Sequence, residues 1–167
     1  MLLNNSRKAI YLLGSVCFIF FLTGCNSNDK MIENNYYLSL SGESENWKVN
    51  TYEIIIKPDM FKVGDAKLTM KNKTEYSTTS FNIRVHAVIG NQDMVVQGKT
   101  VTGSETDITQ TTSGATKSGA YFNKSGEPIS IKDISDVYMI IEWQDENKRM
   151  KEKVDLFNQE EIFETKD

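Results

Sequence analysis

The feature of this sequence that most constrains the fold is a period-two alternation of apolar and polar residues, broken by turn residues at short intervals. The clearest example is SFNIRVHAVIG, residues 80–90, in which one set of side chains is apolar: Phe81, Ile83, Val85, Ala87 and Ile89. The intervening residues Asn82, Arg84 and His86 are polar. Successive side chains of a β-strand point to opposite faces of a sheet, so this segment predicts a strand with one buried face.

Similar alternation recurs along the chain, and helical periodicity is nearly absent. Strands are also predicted in YYLSLSGE, WKVNTYEIIIKP, AKLTMKN, DMVVQGKTV, GAYFN, VYMIIEWQ and KRMKEKVDLF. Gly90-Asn91 predicts a hairpin turn, Asp145-Glu146-Asn147 predicts another, and only EPISIKDISD resembles a helical turn. We therefore expect an all-β fold, an antiparallel β-sandwich of the immunoglobulin-like type, with a small β-barrel as the alternative.

One segment of the predicted domain, VTGSETDITQTTSGATKSGA at 101–120, is rich in Thr, Ser and Gly. Its composition predicts an edge strand followed by a mobile loop, and loops on rigid scaffolds often carry binding residues. The candidate partner-contact residues are Thr102, Ser104, Thr106, Thr111, Ser113 and Lys117. The alternative is a solvated connection without a binding role.

The N-terminus has the parts of an export signal. Basic residues Arg7 and Lys8 precede an apolar run at 9–22, which ends in the small residues Thr23 and Gly24. A transmembrane helix needs about 20 apolar residues, whereas the apolar region of a signal peptide needs only about 7–15. We therefore expect a cleaved signal peptide, and the alternative is an uncleaved N-terminal anchor.

The end of this run, Leu22-Thr23-Gly24-Cys25, resembles the lipobox of bacterial lipoproteins. The resemblance implies a diacylglyceryl group on the sulfur of Cys25, cleavage between Gly24 and Cys25, and a location on the outer face of the cytoplasmic membrane. The chain then divides into a signal peptide at 1–24, a flexible tether at 25–35, a β-sandwich domain at 36–157 and an acidic tail at 158–167.

Cysteine usage and charge limit the mature protein further. Cys17 leaves with the signal peptide and Cys25 carries the lipid, so no disulfide is available and the domain depends on its core. Residues 25–167 contain 17 basic and 23 acidic side chains. This balance disfavours nucleic acid as a partner, because phosphate backbones attract basic surfaces.

No catalytic or metal-binding motif emerges from the remaining residues. The single histidine, His86, is predicted on the polar face of a strand, so neither a hydrolytic triad nor a zinc or copper set is expected. Glu127, Asp133 and Asp136 do not have the spacing of an EF-hand loop. The segment SGATKSG lacks the order of a phosphate-binding loop. We expect no cofactor, no metal and no enzymatic activity.

Large apolar side chains are assigned to the core rather than to ligand sites. Trp47 and Trp143 lie in predicted strands, where a sandwich core accommodates large aromatics better than a ligand platform does. Four methionines fall at core positions of the alternation: Met70, Met94, Met139 and Met150. Packing therefore explains them better than copper(I) binding does.

Two longer segments, SGESENWKVNTYEI and VYMIIEWQDENKRMKEKVDLF, resemble small lipoproteins of Gram-positive bacteria with a single extracellular β-domain. The resemblance implies a location and a fold and carries no site residues. We expect a non-catalytic binding or assembly module, held at the membrane through Cys25, whose further partner is another envelope protein or a cell-wall polymer. The alternative function is a carrier or sensor of a small ligand or metal ion.

Overall fold

The structure is a computed structural model that describes residues 35–160. The predicted signal peptide, the predicted lipidation and cleavage residues Gly24 and Cys25, and most of the predicted tether and acidic tail lie outside the described residues. Between residues 35 and 160, no helix is long and apolar enough to cross a membrane.

The all-β prediction is confirmed, because strands of two antiparallel sheets dominate the described part of the chain. The strands are β1 (Tyr36–Glu43), β2 (Trp47–Lys57), β3 (Met60–Gly64), β4 (Lys67–Met70), β5 (Ser77–Ile89), β6 (Gln92–Asp107), β7 (Gln110–Thr112), β8 (Ala115–Gly119), β9 (Ile134–Asp145) and β10 (Lys148–Asn158). A single 3₁₀ turn at Ile131–Asp133 precedes β9, within the segment that resembled a helical turn.

The larger sheet is built around the long strand β2. One edge of β2 pairs with β1, and its other edge pairs with β3 and β4 in turn. Strand β8 then pairs with β3, and β7 pairs with β4. At the break between β3 and β4, Gly64 has φ 132° and a Cβ there would lie 2.2 Å from the Gly114 carbonyl oxygen, so only glycine fits.

The smaller sheet has the strand order β10-β9-β5-β6. The predicted hairpin turn between β5 and β6 is confirmed, with positive φ at Gly90 (56°) and Asn91 (68°), as a type I′ turn requires. The predicted turn between β9 and β10 is also confirmed. The chain alternates between the sheets: β1 to β4 lie in the larger one, β5 and β6 in the smaller, β7 and β8 in the larger, and β9 and β10 in the smaller.

The core lies between the inward faces of the two sheets. The predicted inward set of β5 is confirmed, because all five side chains are buried. Trp47 and Trp143 are buried as expected and meet edge-on, with ring centroids 5.7 Å apart. Met70 and Met139 are buried, whereas Met94 and Met150 pack against the core partly exposed. Burial of this apolar surface is the main force that holds the sheets together.

Strands β1 and β10 meet at one side of the sandwich. A Cβ at Gly42 would lie 2.1 Å from the Asp155 carbonyl oxygen, so the two backbones approach as closely as glycine permits. The Glu152 carboxylate of β10 accepts hydrogen bonds from the Ser44 hydroxyl and from the backbone and side chain of Asn46. This contact, here called the Glu152 corner, gives the SGESENW segment a structural role.

Side-chain hydrogen bonds also join β6 to the larger sheet at the opposite side. Gln97 Nε2 donates to the carbonyl oxygens of Ser113 (3.2 Å) and Gly114 (2.8 Å). The Ser113 hydroxyl accepts a hydrogen bond from the Ala66 backbone amide at 3.1 Å. Polar residues at this edge therefore help to fix how the sheets meet.

One local prediction is half right and another is wrong. The 101–120 segment has the predicted edge-strand structure but little of the predicted loop, since it comprises the end of β6, all of β7 and all of β8. Its threonines favour β-strands, and edge strands with a solvated face can form without apolar side chains on that face. The predicted strand GAYFN, at 119–123, does not form within the part of the chain that the structure describes. Strand β8 ends at Gly119, and Phe122 makes only an isolated bridge with Pro128.

Candidate functional site

The outer face of the smaller sheet carries a row of polar side chains across all four strands. Asn82 of β5 lies opposite Thr100 of β6 and Glu142 of β9, and Glu142 lies opposite Lys151 of β10. A groove of about 310 Å³, here called the Glu142 groove, runs along this face. Its lining residues are Ser80, Asn82, Thr100, Thr102, Glu142, Trp143, Gln144 and Arg149.

Glu142 is a nearly buried carboxylate with three cationic neighbours. Arg84 Nη2 donates to its Oε1 at 3.1 Å, and Arg149 Nη2 donates to its Oε2 at 2.8 Å. Lys151 Nζ lies 3.8 Å from Oε1. The Glu142 side chain is only 9% exposed, whereas those of Arg84, Arg149 and Lys151 are 42%, 70% and 60% exposed. One negative charge is thus surrounded by three positive charges that solvent can reach.

The cations around Glu142 retain hydrogen-bond donors. A guanidinium has five N–H groups, and only one nitrogen of each arginine contacts Glu142. Arg84 Nε is buried and has no hydrogen-bond partner among the described residues. Because Glu142 holds both guanidinium groups on the same face, the cluster can donate to an oxyanion without first assembling its donors.

A second polar cluster lies farther along the same face and is satisfied internally. The His86 and Tyr138 rings stack with centroids 4.7 Å apart. Asp93 accepts a hydrogen bond from the Tyr138 hydroxyl at 2.6 Å and lies 2.9 Å from His86 Nδ1. The Tyr138 bond raises the pKa of Tyr138 to about 12, and together with the His86 bond it lowers the pKa of Asp93.

His86 lies on the polar face as predicted, although its side chain is only 19% exposed. Among residues 35–160, the His86 ring contacts the Asp93 carboxylate through Nδ1 and stacks on Tyr138, and it has no hydrogen bond to a hydroxyl or thiol. The same residues contain no group of three or more His, Cys, Asp or Glu side chains that could hold a metal ion.

The structure does not bring the predicted contact residues together. Thr102 lines the Glu142 groove. Ser104 and Thr106 lie farther along β6, where the Thr106 hydroxyl donates to the Ser104 carbonyl oxygen. Thr111 accepts a hydrogen bond from Lys99, and Ser113 is buried. Lys117 lies opposite Lys62 where β8 pairs with β3 in the larger sheet. Of the six, only Thr102 belongs to the groove.

Sequence reasoning missed the side chains at the centre of the groove. A signal existed, because Glu142 interrupts an otherwise apolar stretch of VYMIIEWQ. A carboxylate at such a position needs partners, since burial of an unpaired charge is costly. Its partners Arg84 and Arg149 come from different strands, so only the strand register reveals them.

Comparisons with known protein families, with curated proteins and with solved structures find no match to this chain. The chemistry of residues 35–160 is therefore the basis on which a function can be proposed. That chemistry consists of hydrogen-bonding and cationic groups on the outer face of the smaller sheet.

Proposed function

We propose that this chain is a lipid-anchored lipoprotein whose β-domain acts as a non-catalytic binding module in the cell envelope, with the outer face of the smaller sheet as its contact surface. The observation that carries the proposal is the group of three solvent-accessible cations around Glu142. The whole chain has a net charge of −4, so this local excess of positive charge runs against the overall balance. A local positive patch commonly selects partners that present negative charge to it.

We further propose that the domain is an immunoglobulin-like sandwich. The order β10-β9-β5-β6 corresponds to a G-F-C-C′ sheet. In the larger sheet, β2 takes the place of strand A. The interrupted strand β3–β4 takes the place of strand B, and the interrupted strand β7–β8 takes the place of strand E. Strand β1 is then an additional edge strand. The alternation of the chain between the two sheets supports this assignment.

The proposed location rests on the lipobox-like sequence ending at Cys25. A coil of about ten residues between the lipid and β1 would reach roughly 20 Å from the membrane surface. Confinement in this layer raises the effective concentration toward other envelope components, so a modest affinity suffices. A binding module benefits directly from this arrangement.

The alternative, a carrier or sensor of a small ligand, is favoured by one observation. The Glu142 groove of about 310 Å³ reaches the lower end of the usual range for ligand sites, about 300–1,000 Å³. A carrier would enclose most of its ligand, whereas Arg149, which lines the groove, is 70% exposed. The contact-surface role therefore has the stronger support.

The location is tested by replacing each cysteine in turn. Cys25→Ser should abolish labelling with fatty acid and leave unprocessed precursor, because only a thiol can form the thioether. Cys17→Ser is the matched control and should be labelled and processed normally. Lipid labelling of the Cys25→Ser protein would contradict the proposed anchor.

The contact surface is tested by photo-cross-linking in cells. A photoreactive residue at Thr100, exposed beside the groove, should give adducts with a component of the envelope. The same residue at Thr69, exposed on the larger sheet, is the control. Adducts from Thr69 but not from Thr100 would place the contact on the other sheet and overturn the proposal.

A further inference from the structure

We propose that the Glu142 groove binds the phosphomonoester group of a phosphorylated sugar or polyol, an inference that rests on the binding role proposed above. The first argument is charge. Of the three cations around Glu142, Arg149 lines the groove, whereas Arg84 and Lys151 lie beside Glu142 outside the lining. The cluster as a whole carries three positive charges, of which Glu142 neutralises one, so two remain next to the groove. A phosphomonoester carries about −1.5 to −2 at pH 7, which matches this excess, whereas a carboxylate would leave one positive charge uncompensated.

The second argument is the geometry of the donors. Both arginines contact Glu142 through Nη2 alone. The planar guanidinium fork suits bidentate binding of phosphate oxygens. Arg149 lines the groove and its side chain is 70% exposed, so its remaining N–H groups are accessible to a ligand. Glu142 also lines the groove, and it acts as a positioning residue because it holds the Arg149 guanidinium at the groove.

The third argument is the chemistry of the remaining lining. Ser80, Thr100 and Thr102 supply hydroxyl groups, and Asn82 and Gln144 supply amides. Each of these groups can both donate and accept a hydrogen bond. Such a lining suits the hydroxyl groups of a sugar or polyol. The groove volume of about 310 Å³ suits a ligand unit of that size.

The neighbouring depression limits how much negative charge the ligand can carry. It shares Gln144 with the groove and is lined by the acidic residues Glu105, Asp145 and Glu146. These carboxylates repel a second phosphate at that end of the face. The arrangement therefore favours a ligand with one phosphate group near Arg149 over a chain of many phosphates.

The inference is tested by titrating the full-length protein in detergent, followed by NMR, with four probes: hexose 6-phosphate, inorganic phosphate, free hexose and gluconate. Hexose 6-phosphate should bind at least about tenfold more tightly than each of the others, because it alone combines both recognition elements. The shifts should centre on Thr100 and Thr102. Equal affinity for gluconate or for inorganic phosphate would overturn the inference.

Two variants assign the binding to the groove. Arg149→Ala should weaken hexose 6-phosphate binding by about tenfold, the usual loss for a charged hydrogen bond. Lys67→Ala removes an exposed lysine from β4 of the other sheet and should leave the affinity unchanged. An Arg149→Ala protein with unchanged affinity, or no saturable binding of any probe, would overturn the inference. The Thr100 cross-link decides the binding role independently of these outcomes.

Discussion

Glu142 and Glu152 lie on the neighbouring strands β9 and β10, and each has a different kind of partner. Glu142 is opposite Lys151, the residue before Glu152, so the two carboxylates project from opposite faces of the sheet. Glu152 accepts hydrogen bonds from neutral groups of the turn between β1 and β2, at Ser44 and Asn46. Glu142 pairs with cations of its own sheet that remain open to solvent.

The difference separates a structural carboxylate from a positioning one. The partners of Glu152 join the β1–β2 turn to β10, which is a structural role. Arg149, a partner of Glu142, contacts it through Nη2 and is 70% exposed, so it keeps unused donors at the protein surface. The proposed binding role rests on this remaining hydrogen-bonding capacity.

The Glu152 corner should be most sensitive at Gly42. In a Gly42→Ala protein the new Cβ would overlap the Asp155 carbonyl oxygen, so β1 and β10 must separate. We expect the free energy of unfolding to fall by about 3 kcal/mol. Gly119→Ala is the matched control, because a Cβ there meets nothing within 4 Å. Urea denaturation compares the two, and equal stability of both variants would contradict the close approach of the strands.

Replacing Glu152 tests the corner through its charge. Burial alone would raise the pKa of Glu152, but hydrogen bonds from Asn46 and Ser44 outweigh it and hold the pKa below its ordinary value. Its contribution to stability is therefore present above the unfolded-state pKa of about 4.3 and is lost as the pH falls through the folded-state pKa. Glu152→Gln should lower the free energy of unfolding by about 2 kcal/mol at pH 7.

Thermal denaturation across pH provides the check on this variant. The stability gap between the Glu152→Gln and wild-type proteins should narrow as the pH falls below about 4. A gap that stays constant from pH 7 to pH 3 would show that the charge of Glu152 does not contribute at the corner.

Glu142→Gln should have a smaller effect, because the cations around it can rehydrate. We expect the free energy of unfolding to fall by about 1 kcal/mol at low salt. The loss should shrink in 1 M salt, because the cations that pair with Glu142 are open to solvent and salt screens their charges. The loss for Glu152→Gln should change less, since its partners are neutral. Denaturation at low salt and in 1 M salt measures both losses of stability. An equal change of the two losses with salt would contradict the contrast between Glu142 and Glu152.

Tyr52→Phe should have the smallest effect. The Tyr52 hydroxyl is buried and has no hydrogen-bond partner among the described residues, and this burial raises the pKa of Tyr52. Removing it should leave the melting temperature unchanged or slightly higher. Tyr76→Phe is the control, because the Tyr76 hydroxyl donates to Asp145 at 2.6 Å and its loss should cost about 1 kcal/mol. A larger loss at Tyr52 than at Tyr76 would contradict this account.

The sequence predicted the parts of the fold where burial alternates with exposure. Strand β5 and its inward face were clear because its apolar residues are strictly spaced, and the Gly90-Asn91 turn was clear because its backbone requires positive φ. The strands β7 and β8 were missed because they are short, polar and held largely by backbone pairing and side-chain contacts at the sheet edge.

The candidate site was harder to predict because it depends on register. Arg84 is 58 residues from Glu142 in sequence, and Arg149 lies on the strand after Glu142, so the three meet only when β9 pairs with both β5 and β10. Composition directed attention to the Thr- and Ser-rich segment 101–120, of which only Thr102 reaches the groove. Charge pairing across strands was the missing information.

The claim that the outer face of the smaller sheet is the contact surface is tested most directly by two charge reversals in the cross-linking experiment. Arg149→Glu places a negative charge at the groove, and Lys67→Glu makes the same change of charge on the other sheet. Lys67→Glu should melt within a few degrees of the wild type, because Lys67 is exposed. Arg149→Glu should melt lower, because it replaces the Arg149–Glu142 ion pair with two like charges, so the adducts are compared below both melting temperatures. We predict that Arg149→Glu abolishes the Thr100 adduct and that Lys67→Glu retains it. Retention of the adduct by both proteins, or its loss from both, would contradict the claim.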